Sequence, residues 1–159
     1  MANNFYSDLA RGKQGEVLIS AAFQKMGYEV KDVSADSCYW EKDIDLIVND
    51  NGIERQIEVK SDWNLSKTGN VVLEIRKSDS GKAGWFTFTQ SSHLAFVDMK
   101  NNIAYIGRTK EIKDAVDVWL LQGAAGADVS AYIKNKHLNG YFCLLLNIEN
   151  SKLFQKLAV

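Results

Sequence analysis

The stretch Lys42 to Asp62, KDIDLIVNDNGIERQIEVKSD, decides how the rest of the chain can be arranged. Two short strand-like runs flank Asn51-Gly52, the pair suited to a two-residue type I′ turn because both central residues tolerate positive φ. A turn at that point fixes a register. Asp50 faces Ile53, and stepping outward pairs Val48 with Arg55, Ile47 with Gln56, Leu46 with Ile57, Asp45 with Glu58, Ile44 with Val59 and Asp43 with Lys60. Side chains alternate across a strand. Ile44, Leu46, Val48, Ile57 and Val59 therefore share one apolar face, while Asp43, Asp45, Glu58 and Lys60 gather on the other.

Directly opposed residues of an antiparallel pair have Cβ atoms roughly 4.5 to 5.5 Å apart, and like charges at that distance cost stability. Asp45 against Glu58 needs compensation. A divalent cation between the carboxylates would remove the repulsion, and a shared proton would raise one pKa. On a solvated face, Lys60 and Arg55 would partly neutralise the acids. The hairpin alone leaves all three readings open.

A chain of 159 residues, 46% hydrophobic and 25% charged, suits one domain able to bury a sizeable core. The formal net charge of −1 argues against a protein that coats nucleic acid electrostatically, yet permits a local basic groove. Cys38 and Cys143 lie far apart without a Cys/His pattern, so they read as reduced thiols rather than a zinc site or disulfide framework. The N-terminal MANNFYSDLARGKQGE has no apolar signal core, and no apolar run approaches the roughly 20 residues that span a bilayer. The expected location is cytoplasmic, with no membrane partner.

In chain order, the pattern predicts a first helix from Tyr6 to Met26, capped by Ser7 and stopped by Gly27. Its run Val17 to Phe23 (VLISAAF) is nearly all apolar or small, as in a helix packed on more than one side. Glu16 borders that run, with Gly12, Ser20 and Phe23 on its side; taken alone it reads as a solvated glutamate complementing the helix dipole. Tyr28 to Val33 alternates like a strand, and Ser34 to Lys42 is a polar loop whose Tyr39 and Trp40 would pack over the hairpin end or stack on a base.

Beyond the hairpin, Ser61 to Gly69 reads as a loop and Asn70 to Arg76 as a strand, with Val71, Leu73 and Ile75 on one side and Val72, Glu74 and Arg76 on the other. A mildly basic loop, Lys77 to Gly84, leads to Trp85-Phe86. A second hairpin joins His93–Asp98 to Ile103–Ile106. Thr109 to Gln122 forms an amphipathic helix, with Thr109 as cap, Gly123 as stop, and Ile112, Ala115, Val116, Trp119 and Leu120 inward. A short helix over Asp128–Lys136, a buried strand over Tyr141–Ile148 and a closing helix over Asn150–Leu157 complete the chain. His93 and His137 lie far from the acidic hairpin and take no role. This order predicts an α/β (mixed α+β) fold, a central mixed β-sheet flanked by helices.

Glu16 in an early helix, Asp45 in IDLIV, and Glu58-Val59-Lys60 one hairpin later resemble, in order and spacing, the PD-(D/E)XK nuclease superfamily, also called restriction-endonuclease-like or Holliday-junction-resolvase-like. The resemblance covers Gly12 to Lys60 and, more loosely, TGNVVLEIRKSDSGKAGWFTFTQSS, which is similar to small phage and bacterial members. Ile44 stands where the family places a proline. The resemblance implies a restriction-endonuclease-like core over about residues 6–108, followed by an α/β extension over about 109–159, within a single domain spanning 1–159.

The resemblance also implies Mg²⁺, with Mn²⁺ as substitute, bound by Asp45, Glu58 and the backbone carbonyl of Val59 and completed by Glu16. Lys60 would orient or deprotonate the attacking water and stabilise the developing phosphorane charge. Asp43 competes with Asp45, but its register partner is Lys60, which favours Asp45. Metal-dependent hydrolysis of DNA phosphodiester bonds is the expected activity, by an endonuclease. The alternative is a catalytically silent DNA-binding or partner-docking module on the same fold. DNA is the expected partner, Arg11, Lys13, Lys67, Arg76, Lys77 and Lys82 are candidate phosphate contacts, and a homodimer is left open. For a phage-encoded chain the location would be the host cytoplasm.

Overall fold

Asn51 and Gly52 take positive φ of 51° and 91°, and the hairpin they close keeps the expected register from Asp50–Ile53 to Leu46–Ile57. The computed structural model describes residues 2–159, and of the first seven side chains only that of position 7; that of position 8 is likewise outside the description. The expected start of the first helix at Tyr6 falls partly on those positions. In chain order the elements are α1 (Ala2–Lys25), β1 (Glu29–Asp32), α2 (Ser37–Trp40), β2 (Leu46–Asp50), β3 (Ile53–Asp62), α3 (Leu65–Thr68), β4 (Asn70–Lys77), α4 (Trp85–Phe88), β5 (His93–Asp98), β6 (Ile103–Arg108), α5 (Thr109–Ala124), β7 (Ile133–Leu138), β8 (Tyr141–Asn147), α6 (Ile148–Ser151) and β9 (Gln155–Ala158).

These strands form two sheets. The larger is six-stranded in the order β1-β2-β3-β5-β6-β9, antiparallel throughout except for the parallel pair β3–β5, and the smaller is β4-β8-β7. The fold is thus mixed α/β, with a mixed central sheet flanked by helices. A parallel pair in the middle of a sheet needs cover on both faces, and it receives it. On one side Ile19 and Phe23 of α1 pack on Leu46, Val48, Ile57, Val59, Ala95 and Val97. On the other, Leu94 and Phe96 meet Val71, Leu73, Leu144 and Leu146 of the smaller sheet, with Phe86, Ile112 and Val116.

Several expectations are corrected. Asp128–Lys136 is not a helix: Ile133–Leu138 is a strand paired with β8 around Asn139-Gly140, whose φ of 49° and 78° repeat the turn chemistry of Asn51-Gly52. The closing helix over Asn150–Leu157 is absent. Helix α6 stops at Ser151, Lys152 turns the chain at φ 55°, and β9 pairs with the free edge of β6. The segment expected as an extension past 108 therefore supplies strands to both sheets.

Smaller corrections follow from packing. Helix α1 starts at Ala2, so Ser7 lies inside it and not at its cap. Val17, 65% exposed, shows that α1 is covered on one side only. Arg108 stands at the N-cap of α5 and Thr109 is its first, buried residue, while Leu120, expected inward, is exposed. Within the polar loop, Trp40 donates through Nε1 to the Ser34 carbonyl at 2.7 Å and stays exposed.

No helix among the described residues is long and apolar enough to cross a membrane. The turn offers a clean test of backbone strain, because a Cβ at Gly52 meets nothing within 4 Å. Gly52→Ala is expected to cost about 1–2 kcal/mol through its left-handed φ alone. Urea denaturation reads this, and a loss under half a kcal/mol would mean that the turn does not hold the register.

Candidate active site

The regular ladder between β2 and β3 ends at Leu46–Ile57. The three outer pairs expected beyond it, Asp45–Glu58, Ile44–Val59 and Asp43–Lys60, do not form as ladder pairs. The cause is local: Asp43 takes φ of 57°, and the Asp45 N–H bonds the Ile57 carbonyl at 3.0 Å, one residue out of step with the ladder. The Asp45 carbonyl accepts from Val33 N at 2.8 Å, and its Oδ2 accepts from Val59 N at 2.9 Å. A side-chain carboxylate replaces a backbone acceptor where the strand breaks. Asp45 is thereby clamped between β1 and β3.

Glu58 and Lys60 lie on the face of β3 that meets the smaller sheet. Their parallel partners on β5 are Leu94 and Phe96, both in the core between the layers. The solvated-face reading of the hairpin does not hold: Glu58 is 3% exposed, and Asp43, Asp45 and Lys60 are half-buried. Lys60 Nζ donates to Glu58 Oε1, lies 4.0 Å from Asp43 Oδ1, and sits 4.6 Å over the Trp85 ring. Asp43 is thus drawn into the site by the side-chain pairing that the sequence reading counted against it. Thr89 Oγ1 donates to the Asp43 carbonyl at 3.3 Å and fixes that strained residue.

Glu16 approaches from the α1 side. Helix and strand are tied by Ser61, whose Oγ donates to the Gly12 carbonyl at 2.8 Å and accepts from Gly15 N at 3.1 Å. Gly15 allows this approach, since a Cβ there would stand 2.3 Å from Ser61 Oγ. Gly15→Ala is expected to cost about 1–3 kcal/mol as an overpacking change, outweighing the gain of about 1 kcal/mol in helix propensity. Ser61→Ala in the same chain should recover part of the loss. Strict additivity of the two changes in a denaturation cycle would refute the contact.

Electrostatics follow from burial. Glu58 is pushed up to about 8, first by desolvation, against which Lys60 acts, and then by Asp45 and Asp43. Asp43 is raised by burial, with Lys60 opposing and Asp45 adding. Glu16 is raised by burial and then by Asp45, while the Ser34 hydroxyl and Lys13 pull it down. Glu74 on β4 is raised by burial too, with Lys60 opposing and Asp43 adding. Desolvation draws Lys60 down, but Glu58 and Asp43 outweigh it and hold the ammonium above its ordinary value. Lys60 is thereby held toward its ammonium form.

Two carboxylate oxygens in this group, Glu16 Oε2 and Asp43 Oδ2, are buried without a hydrogen-bond partner. Such atoms are costly and call for a counter-charge or a proton. The carboxylate oxygens of this group are donors of the kind that suit a hard divalent cation keeping part of its water shell. Among the described residues, no three or more His, Cys, Asp or Glu side chains are disposed to hold a metal ion. With two carboxylates as direct ligands, Mg²⁺ does not require such a group.

The structure brings together Asp45, Glu58 and Lys60, with Glu16 beside Asp45, keeps Asp43, the competing candidate, in the same group, and adds Trp85 and Glu74. A signal for Asp43 existed in its pairing with Lys60; none existed for Trp85 and Glu74, which arrive from other elements. The six candidate phosphate contacts fall in three places. Arg11 and Lys13 are on α1, Arg11 stacking at 4.4 Å over Trp63. Lys67 is exposed on α3. Arg76 and Lys77 lie over Phe142 and Tyr141 at 4.3 and 5.8 Å, with Lys82 in the loop beside them. His93 bonds Ser92 and His137 packs on Phe142, both outside this cluster, and both cysteines are free.

No family model and no characterised protein matches the chain in sequence. Among solved structures, a bacterial homing endonuclease, I-Ssp6803I, is similar over 64% of this chain at 21% identity, with a TM-score of 0.46. The similar region spans 64% of that enzyme's chain, somewhat under two thirds.

Proposed function

We propose that the chain is a metal-dependent deoxyribonuclease of the PD-(D/E)XK kind, hydrolysing phosphodiester bonds at the cluster of Asp45, Glu58 and Lys60. One observation carries this reading: a carboxylate buried to 3% exposure shares its place with a lysine ammonium and an excess of acids, two of whose oxygens have no partner. A structural ion pair would not gather Asp43 and Asp45 around Glu58, with Glu16 in turn beside Asp45, because each addition raises the cost of keeping its neighbours ionised. A site that receives a divalent cation gains from that excess.

In this reading Asp45, Glu58 and the Val59 carbonyl would hold Mg²⁺ or Mn²⁺, and Glu16 would complete the shell. The bound ion would supply Lewis acidity and offset charge on a phosphodiester under attack. Lys60, held over Trp85 and kept protonated by Glu58 and Asp43, donates to a phosphate oxygen as negative charge develops there. Asp45, fixed by Val59 N and Val33 N, keeps its carboxylate aimed without a mobile side chain. Digestion of supercoiled plasmid with Mg²⁺, Mn²⁺ or EDTA tests the assignment. Nicking should require the ion, and cutting that persists in EDTA would sink it.

The catalytically silent module rests on its own observation. Lys60 already neutralises Glu58, and the described residues present no group of three or more metal-ligating side chains. It predicts salt-sensitive DNA binding or stable partner docking, with no nicking under any divalent ion; metal-dependent nicking removes it.

A further inference from the structure

Three residues beyond Lys60, at the end of β3, Trp63 lies half-exposed with the Arg11 guanidinium 4.4 Å over its ring. The two residues border an open depression of about 340 Å³ whose other walls are Gly12, Ser61, Asp62 and Asn64. An extended chain advances about 3.3 Å per residue, which puts Trp63 roughly 10 Å from Lys60. The Ser61 bonds to Gly12 and Gly15 hold Arg11 and Glu16 on the same stretch of helix against the same stretch of strand. Whatever nucleotide occupies the depression is thus held in fixed relation to the acidic cluster.

The chemistry of the depression is that of a nucleobase seat. Arg11 is exposed, and its guanidinium carbon lies 4.4 Å over the Trp63 ring, so the cation covers the indole while remaining within reach of solvent. Bases stack on aromatic rings and on arginine planes alike, and each such stack is tolerant of base identity. Asn64 stands at the N-cap position of α3 but its side chain makes no cap hydrogen bond, leaving an amide at the rim. Asp62 Oδ1 is engaged by Asn64 N at 2.6 Å, which holds that rim in place. A base inside an intact duplex is stacked on both faces and cannot enter; an unpaired one can.

We propose that Arg11 and Trp63 form a stacking platform for an unpaired nucleobase, so that the substrate carries a single-stranded, bulged or flapped nucleotide beside the bond to be cut. This rests on the phosphodiesterase reading for the position of the bond, while the platform itself is tested by binding alone. Fluorescence anisotropy is measured with labelled oligonucleotides, a perfect duplex, the same duplex with one bulged nucleotide, and a single strand, with Ca²⁺ present to neutralise the carboxylates. The bulged and single-stranded probes should bind about tenfold more tightly than the duplex, the scale of one base stack. Trp63→Ala should bring that ratio close to one and Arg11→Ala should reduce it. Trp63→Phe, which keeps a ring, should retain most of it and guards against a folding defect. Equal affinity for all probes, binding to none of them, or a preference that survives Trp63→Ala overturns the platform. A preference that depends on Trp63 without any Mg²⁺-dependent cutting supports the platform and rejects the nuclease reading instead.

Discussion

Lys60→Ala is expected to lower Mg²⁺-dependent nicking of supercoiled plasmid by about 10²–10³-fold, the cost of removing one preorganised donor from a site that stabilises developing charge. The ammonium is preorganised because Glu58, Asp43 and the Trp85 face hold it from three directions. Asp45→Asn makes the complementary change. Its amide oxygen can still accept from Val59 N, so the break in the ladder keeps its hydrogen bond while the charge is lost. Cutting should fall at least as far as in Lys60→Ala, and thermal stability without metal should hold or rise, since Asp45 charge is one cause of the raised Glu58 pKa. Activity within tenfold of the unsubstituted protein in both variants would refute the site. Parallel calorimetry with Mn²⁺ separates loss of ion binding from loss of the chemical step.

The metal-free protein should lose stability as pH rises from about 4.5 to about 8. Glu58 is raised from 4.5 to about 8 by burial and then by Asp45 and Asp43 against the pull of Lys60, so across that window the folded chain binds more protons than the unfolded one. Unfolding free energy then falls with pH, at a slope approaching about 1.4 kcal/mol per unit where Glu58 alone titrates. Glu16, Asp43 and Glu74 are raised as well and act with the same sign. His93, lowered by burial and then by Arg55 and Arg108, opposes them below its ordinary 6.5, and Asp32, lowered first by the Ser34 hydroxyl, only below its ordinary 3.8. Glu58→Gln should flatten the profile and be the more stable protein at pH 8, and Mg²⁺ should raise the melting temperature more at pH 8 than at pH 5. Stability that climbs between pH 5 and pH 8 without metal would contradict the burial of more carboxylates than Lys60 can offset.

The hairpin register was legible because turn chemistry is local: Asn51-Gly52 admits one tight geometry and the ladder follows from it. The same dipeptide at Asn139-Gly140 carried the same message for β7 and β8, and the helical reading of Asp128–Lys136 passed over it. Strand β9 was not legible, since QKLA becomes a strand only because β6 offers a free edge. Val71 and Leu73 were placed correctly on one face of a strand, yet nothing in their alternation says that β4 belongs to a second sheet.

Within the site, the sequence by itself determined which residues stand two apart on one strand, Glu58 and Lys60, and which acids precede them on the neighbouring one. Those relations are set by strand periodicity and one turn, both short-range. Only the tertiary structure decided that this polar face is buried, because burial depends on what the chain folds over it: Trp85 from α4, Glu74 from β4, and the core around Phe96. Strand register alone set Asp43 beside Lys60; only the tertiary structure decided that the two meet outside the ladder, with Asp43 in a left-handed conformation at φ 57°. Desolvation turned a row of charges into a set of acids with raised pKa values, and desolvation is a property of the packed chain and not of any segment of it.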